Sequence, residues 1–200
     1  MVMNFANQIT LSRLVIAGIF FVMLSVFSPQ ADRLYLLDLA LLLYLLAGLT
    51  DIIDGYVARR LNQVTTFGRV IDPFVDKVLV CGAFIFFCSD RFTVGGTAVS
   101  GVSAWMVVVI LARELLVTGV RGLSESQGRK FSATVYGKAK MLLQSVAICW
   151  ILFSIAHGDG AAAAGPWYLS RVVAAWVATL GTVASLLGYV GRVDALLRRQ

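Results

Sequence analysis

The chain has 200 residues, of which 59% are hydrophobic and only 14% are charged, and its formal net charge is +6. Soluble domains carry about 25% charged residues, so this composition excludes an ordinary soluble protein and favours an integral membrane protein. The basic residues are spread over predicted helix ends and are not gathered on one soluble face, which argues against nucleic-acid binding.

Apolar stretches follow one another along the whole chain, and each is near the ~20 residues that a membrane-spanning helix needs. They cover roughly residues 9–28, 34–50, 74–89, 99–120, 140–157 and 167–190. The first stretch lacks the basic leader and the cleavage site of a secretory signal peptide. The sequence therefore predicts an all-α, polytopic integral membrane protein with six transmembrane helices, in which residues 1–200 form a single domain.

The basic residues are distributed unequally between the two predicted sides of the membrane. The termini, the second and fourth connections and the helix ends beside them hold 14 of the 17: Arg13, Arg59, Arg60, Arg69, Lys77, Arg113, Arg121, Arg129, Lys130, Lys138, Lys140, Arg192, Arg198 and Arg199. The other connections hold Arg33, Arg91 and Arg171. Because basic residues concentrate on the cytoplasmic side, both termini and these connections are predicted to be cytoplasmic.

The second predicted helix begins near Leu34 and continues through Arg60. Its length would be about 40 Å at 1.5 Å per residue, against ~30 Å for the hydrocarbon core. The end of this helix should therefore project into the cytoplasmic interface with Asp51 and Asp54. We expect Asp72-Pro73 to open the third helix, because proline is well tolerated in the first turn.

Four aspartates lie in this region, although carboxylates in or near a bilayer are costly and are usually functional. Asp51 and Asp54 are three residues apart, and Asp72 and Asp76 are four apart, so each pair lies on one helix face. Two antiparallel helices could bring the pairs together in an all-oxygen pocket that suits Mg²⁺ or Mn²⁺. Such metal ions would bridge and neutralise phosphate oxygens.

Any single aspartate could instead be an interfacial charge, or an ion-pair partner of Arg59, Arg60 or Lys77. Four aspartates at helical spacing with small residues between them favour the metal site. The small residues Gly55, Ala58 and Gly68 would let a ligand approach the backbone.

The stretch from Asp51 to Asp76 resembles the signature of the CDP-alcohol phosphatidyltransferases. The pattern is Asp-x₂-Asp-Gly-x₂-Ala-Arg-x₈-Gly-x₃-Asp-x₃-Asp, and every position is matched. The resemblance implies six transmembrane helices, a homodimer and a site for two divalent cations, Mg²⁺ or Mn²⁺, at the cytoplasmic face. It also implies a reaction in which a hydroxyl attacks the β-phosphorus of CDP-diacylglycerol and CMP leaves.

The same resemblance implies roles for individual residues. Asp51, Asp54 and Asp72 would be metal ligands, and Asp76 would be both a metal ligand and the general base. The residues implied to bind the CDP group are Asp51, Gly55, Ala58, Arg59 and Gly68.

Three further blocks resemble the bacterial phosphatidylglycerophosphate synthases: Thr10-Leu-Ser-Arg13, Ala112 to Arg121, and Gly137 to Gln144. This resemblance implies glycerol 3-phosphate as the acceptor and the bacterial inner membrane as the location. Arginine and lysine are suited to binding its phosphate, and the candidates are Arg113, Arg121, Lys138 and Lys140. Arg113 is also expected to pair with Glu114 or with an aspartate.

Other interpretations remain open at this point. The four basic residues could simply reflect membrane topology. The same reaction could use another acceptor, such as inositol phosphate, serine or a phosphatidyl lipid. A cation transporter could also carry intramembrane carboxylates, although these more often lie mid-span beside broken helices.

Overall fold

A computed structural model describes the backbone of residues 5–29, 33–60, 66–126, 135–159 and 161–197. Side-chain environments are described for residues 11–29, 33–51, 74–122, 124, 136–159 and 161–186. The described chain is mostly helical. The long helices are α1 (Phe5–Val26), α2 (Tyr35–Arg60), α3 (Thr66–Phe87), α4 (Ala104–Ser126), α5 (Val135–His157) and α6 (Pro166–Leu197).

The second helix has the length that the sequence predicts. It runs without interruption for 26 residues to Arg60, so Asp51 and Asp54 lie in its last three turns. The third helix begins earlier than predicted. It starts at Thr66, and Pro73 lies inside it, eight residues along. Proline removes one backbone donor, but the helical path continues on both sides of it, so the expectation that Asp72-Pro73 opens this helix was wrong.

A small β-hairpin lies between α3 and α4, where a purely helical protein was expected. A short 3₁₀ turn, Asp90–Phe92, leads into strands β1 (Thr93–Val94) and β2 (Thr97–Ala98), which pair antiparallel. Gly95 and Gly96 connect the strands with φ angles of 56° and 80°. Positive φ angles at both residues are typical of the two-residue hairpin turn that consecutive glycines favour. The fourth helix therefore begins at Ala104, after the hairpin and the short segment that follows it, and not near residue 99, where the predicted apolar stretch begins.

Pairs of contacting side chains show how the first three helices run. Arg13 contacts Asp51, and Phe20 contacts Tyr44 with ring centroids 5.8 Å apart, so α1 and α2 are antiparallel. Arg13 also contacts Asp76, and Phe21 stacks on Phe86 at 5.7 Å, so α1 and α3 run in the same direction. The start of α1, the end of α2 and the start of α3 therefore lie at one end of the bundle, together with the aspartates.

The remaining helices complete the bundle around α2 and α3. α5 packs against α2 and α6, and α4 packs against α3 and α6. Tyr44 donates a hydrogen bond to Ser145 at 3.1 Å, and Gln144 donates to Thr182 at 2.9 Å. At the other end, Arg171 forms an ion pair with Asp159 at 3.0 Å.

The bundle differs from a soluble protein in its buried charges and in its exposed apolar side chains. Arg13, Arg113, Lys140 and Arg171 are buried inside the bundle. Large apolar side chains are exposed on all six helices: Val15, Leu42, Ile85, Leu115, Leu142 and Leu169. Extensive exposed apolar surface indicates contact with lipid or another protein. The fold is consistent with an all-α membrane protein.

Within the described residues, two helical stretches are long and apolar enough to cross a membrane. They are Tyr136–His157, with 22 residues, and Pro166–Leu186, with 21 residues. Leu11–Val26 is a shorter apolar stretch. These stretches overlap the predicted fifth, sixth and first spans.

Candidate active site

Arg13 joins the two halves of the aspartate motif. Its Nη1 atom lies 2.7 Å from Oδ1 of Asp51 on α2, and its Nη2 atom donates to Oδ1 of Asp76 on α3. The Arg13 side chain is 1% exposed, whereas those of Asp51 and Asp76 are 35% and 31% exposed. One buried guanidinium therefore holds two carboxylates that remain open to solvent.

The helical repeat explains why these groups meet. Arg13 shares a fully buried face of α1 with Ala17, Phe20 and Leu24, at spacings of four, three and four residues. Asp51 continues the buried face of α2, four residues after Ala47. The apolar faces pack the helices together, and the polar groups at the same end of those faces are brought into contact.

The structure brings together one aspartate from each predicted pair. Asp51 and Asp76 both contact Arg13, as two antiparallel helices with a short connection allow. The side chains of Asp54 and Asp72 lie outside the described residues. The same holds for the predicted CDP-binding residues Gly55, Ala58, Arg59 and Gly68, whose backbones belong to α2 and α3.

A second charged cluster lies between α4 and α5. Lys140 Nζ donates to Oε1 of Glu114, and Nη1 of Arg113 lies 3.4 Å from the same oxygen. All three residues are buried, with 5–7% of their surface exposed. The expected pairing of Arg113 with Glu114 is confirmed. Two cationic side chains therefore converge on the carboxylate of Glu114.

The four predicted phosphate-binding residues divide into two environments. Arg113 and Lys140 are buried beside Glu114, whereas Arg121 and Lys138 are exposed. Arg121 lies two turns beyond Arg113 toward the end of α4, and Lys138 lies near the start of α5. The end of α4 and the start of α5 flank the same connection. Arg121 and Lys138 therefore lie nearer to this connection than Arg113 and Lys140.

Sequence reasoning gave no role to two residues that organise the site. Arg13 entered only as one of the basic residues predicted to be cytoplasmic and as part of a block that resembles a subfamily, and Glu114 entered only as a partner of Arg113. A signal for Arg13 was available, because a charged residue on the apolar face of a predicted span is unusual. The shared contact of Glu114 with Lys140, 26 residues away, depends on how α4 and α5 pack.

The donor atoms at the aspartate site suit a hard divalent cation. Asp51 and Asp76 offer carboxylate oxygens, and about a third of each side chain faces solvent. Mg²⁺ and Mn²⁺ prefer such oxygens to nitrogen or sulfur. The residues therefore fit the type of cation that the sequence predicts.

The sequence profile of the CDP-alcohol phosphatidyltransferase family matches residues 3–186. This match covers most of the chain and includes both charged clusters. The chain belongs to this family. The family prediction made from the motif between Asp51 and Asp76 is thereby confirmed.

Curated relatives extend over most of the chain. A Bacillus subtilis protein named CDP-diacylglycerol–glycerol-3-phosphate 3-phosphatidyltransferase is 36% identical over 158 residues, which are 74% of this chain and 76% of that protein. A Rickettsia bellii protein of the same name is 30% identical, over 93% of each chain. A Mycobacterium tuberculosis protein named probable phosphatidylglycerophosphate synthase is 32% identical, over 94% of this chain and 81% of that protein. Both comparisons favour a phosphatidyltransferase over a cation transporter.

Proposed function

We propose that this protein transfers a phosphatidyl group from CDP-diacylglycerol to glycerol 3-phosphate, giving phosphatidylglycerophosphate and CMP. The observation that carries the proposal is the contact of Asp51 and Asp76 through Arg13, because it assembles the two halves of the family motif. The names of the curated relatives support the choice of acceptor.

The proposed reaction is a substitution at phosphorus. The attacking hydroxyl oxygen of glycerol 3-phosphate forms a bond to the β-phosphorus of CDP-diacylglycerol, and the bond from that phosphorus to the bridging oxygen breaks. CMP leaves with that oxygen. Asp76 accepts the hydroxyl proton, because a carboxylate near the acceptor can act as a general base. Its partial exposure, at 31%, leaves it accessible to a substrate hydroxyl.

Four aspartates would hold the cations in this proposal: Asp51, Asp54, Asp72 and Asp76. Two divalent cations, Mg²⁺ or Mn²⁺, would supply charge neutralisation at the phosphate oxygens of the CDP group. Asp51, together with Gly55, Ala58, Arg59 and Gly68, forms the proposed CDP pocket. The small residues of that pocket would allow the nucleotide to lie against the backbone of α2 and α3.

The proposed acceptor site consists of Arg113, Arg121, Lys138 and Lys140. Arg113 and Lys140 place two cationic side chains next to each other at Glu114, and such groups suit a phosphorylated acceptor better than a neutral one. Arginine and lysine form charge-assisted hydrogen bonds to phosphate. Arg121 and Lys138 are exposed, so they could meet the phosphate as it enters from water.

We also propose that all six helices span the bacterial inner membrane, with the active site facing the cytoplasm, and that the protein is a homodimer. Exposed apolar side chains on every helix support the six-span arrangement. The concentration of basic residues at the end that holds Arg13 and Asp51 supports a cytoplasmic site.

The test is an assay of the purified protein with CDP-diacylglycerol and a panel of acceptors, in which CMP release is measured. Glycerol 3-phosphate should give the fastest release, well above inositol phosphate or serine. Arg121→Ala should raise KM for glycerol 3-phosphate by roughly 10- to 100-fold, because one charge-assisted contact is lost. Its KM for CDP-diacylglycerol should change little. A preference for an acceptor without a phosphate contradicts the proposal.

A further inference from the structure

We infer that Arg13 is a resident cation of the aspartate site. It holds Asp51 and Asp76 when no divalent cation is bound, and it opposes the binding of such a cation to them. The inference rests on the proposed function in one respect, since it takes these aspartates as part of the cation site.

The geometry of the guanidinium group suits this role. Its Nη1 atom lies 2.7 Å from Oδ1 of Asp51, and its Nη2 atom donates to Oδ1 of Asp76, so one guanidinium group bridges carboxylates on α2 and α3. A guanidinium group carries a positive charge and several N–H donors in a fixed plane, which suits such a bridge. Without a cation, the two carboxylates would repel each other. Arg13 removes much of that repulsion and keeps the pocket assembled.

Arg13 approaches the two carboxylates from the interior of the bundle, whereas a cation can approach them from solvent. Arg13 is 1% exposed and lies on the interior face of α1, whereas about a third of each aspartate side chain faces solvent. A divalent cation that enters from solvent therefore meets carboxylates whose charge is already partly balanced. It is also repelled by the guanidinium behind them. Arg13 should therefore lower the affinity of the site for divalent cations.

A purely structural role for Arg13 predicts the opposite effect of its removal. If Arg13 only tethered α1 to α2 and α3, its loss would loosen the pocket, and cation affinity would stay the same or fall. If Arg13 is a resident cation, its loss should raise cation affinity. The sign of the change therefore distinguishes the two roles.

The experiment measures Mn²⁺ binding to the full chain in detergent by electron paramagnetic resonance, without any lipid substrate. Arg13→Gln should bind Mn²⁺ about tenfold more tightly than the wild type, which corresponds to about 1.4 kcal/mol. Arg33→Gln is the matched control, because Arg33 is exposed near the start of α2, at the other end of the bundle. Its Mn²⁺ affinity should equal that of the wild type.

Thermal unfolding gives a second readout on the same proteins. Without Mn²⁺, Arg13→Gln should melt below the wild type, because Asp51 and Asp76 then lack the cation that links them. At the same saturating Mn²⁺ concentration, the Tm of Arg13→Gln should rise more than that of the wild type, because stabilisation by a ligand increases with the ratio of its concentration to its Kd.

An unchanged or weaker Mn²⁺ affinity in a folded Arg13→Gln protein overturns the inference, and so does the absence of Mn²⁺ binding in both proteins. If Arg13→Gln does not fold, Arg13→Met replaces it. Methionine removes the charge and keeps an unbranched side chain, so its Mn²⁺ affinity should likewise be about tenfold tighter than that of the wild type. No increase overturns the inference. These experiments do not measure CMP release. They therefore test the role of Arg13 separately from the proposed reaction, which the CMP assay tests.

Discussion

At the residue scale, the site depends on carboxylates whose cationic partners come from other helices. Asp76 contacts Arg13 on α1, and Glu114 contacts Lys140 on α5. These two acids differ in exposure, because the Asp76 side chain is 31% exposed and that of Glu114 is 9% exposed. Asp76 is thus accessible to a substrate, whereas Glu114 mainly balances buried charge. Their substitutions should have different effects.

Asp76→Asn should reduce CMP release by about 10²- to 10⁴-fold, because the amide cannot act as a general base. It also removes a proposed ligand of the cations. The measurement is kcat in the CMP assay, with Tm recorded to check folding. Asp90→Asn is the control, because Asp90 is an exposed acid in the turn before the hairpin. Near-normal turnover of Asp76→Asn would show that another group accepts the proton.

Glu114→Gln should mainly destabilise the protein. The substitution leaves Arg113 and Lys140 buried without their shared counter-charge, and loss of one member of a buried ion pair costs about 3 to 5 kcal/mol. The measurement is Tm in detergent, again compared with Asp90→Asn, which should melt close to the wild type. A Glu114→Gln protein with a normal Tm would indicate that water or lipid phosphate reaches these cations.

At the element scale, α1 sets the position of Arg13 through its contact with α3. Phe21 on α1 stacks on Phe86 of α3 and lies directly over Gly82. A Cβ atom at Gly82 would come within 2.3 Å of Cζ of Phe21. A side chain at position 82 would therefore displace the Phe21 ring.

Gly82→Ala should lower Tm, because the added methyl group forces Phe21 out of its stack on Phe86. Gly18→Ala on α1 is the matched control, since an added Cβ there meets nothing within 4 Å. Alanine is also favoured over glycine in a helix by about 0.5–1 kcal/mol, so Gly18→Ala should keep or raise Tm. Equal Tm changes in the two variants would contradict the close approach of α1 and α3.

At the scale of the whole molecule, the bundle has buried charged groups toward both of its ends. Arg13, Arg113 and Lys140 lie toward one end, and Arg171 with Asp159 lies toward the other. The sequence predicts 14 of its 17 basic residues on the side of the first end and 3 on the other side. Because basic residues are retained in the cytoplasm, the two ends should face different compartments.

Labelling with a membrane-impermeant thiol reagent tests this arrangement. Cys81, Cys88 and Cys149 are first replaced, and single cysteines are then placed at Arg199 and at Ala164, which is exposed in the same connection as Gly158. In intact cells, the cysteine at position 164 should react and the cysteine at position 199 should react only after the membrane is permeabilised. The reverse pattern, or equal labelling of both positions, would refute the proposed orientation.

The sequence by itself determined the family, the helical class and the long second helix, because these depend on local patterns. The spacing from Asp51 to Asp76 and the apolar stretches are read without knowledge of contacts. The tertiary structure decided which charges meet. Asp51 and Asp76 share Arg13, from 38 and 63 residues earlier in the chain, and Glu114 joins Arg113 to Lys140. Such contacts depend on how three or more helix faces pack, and no local pattern encodes that packing.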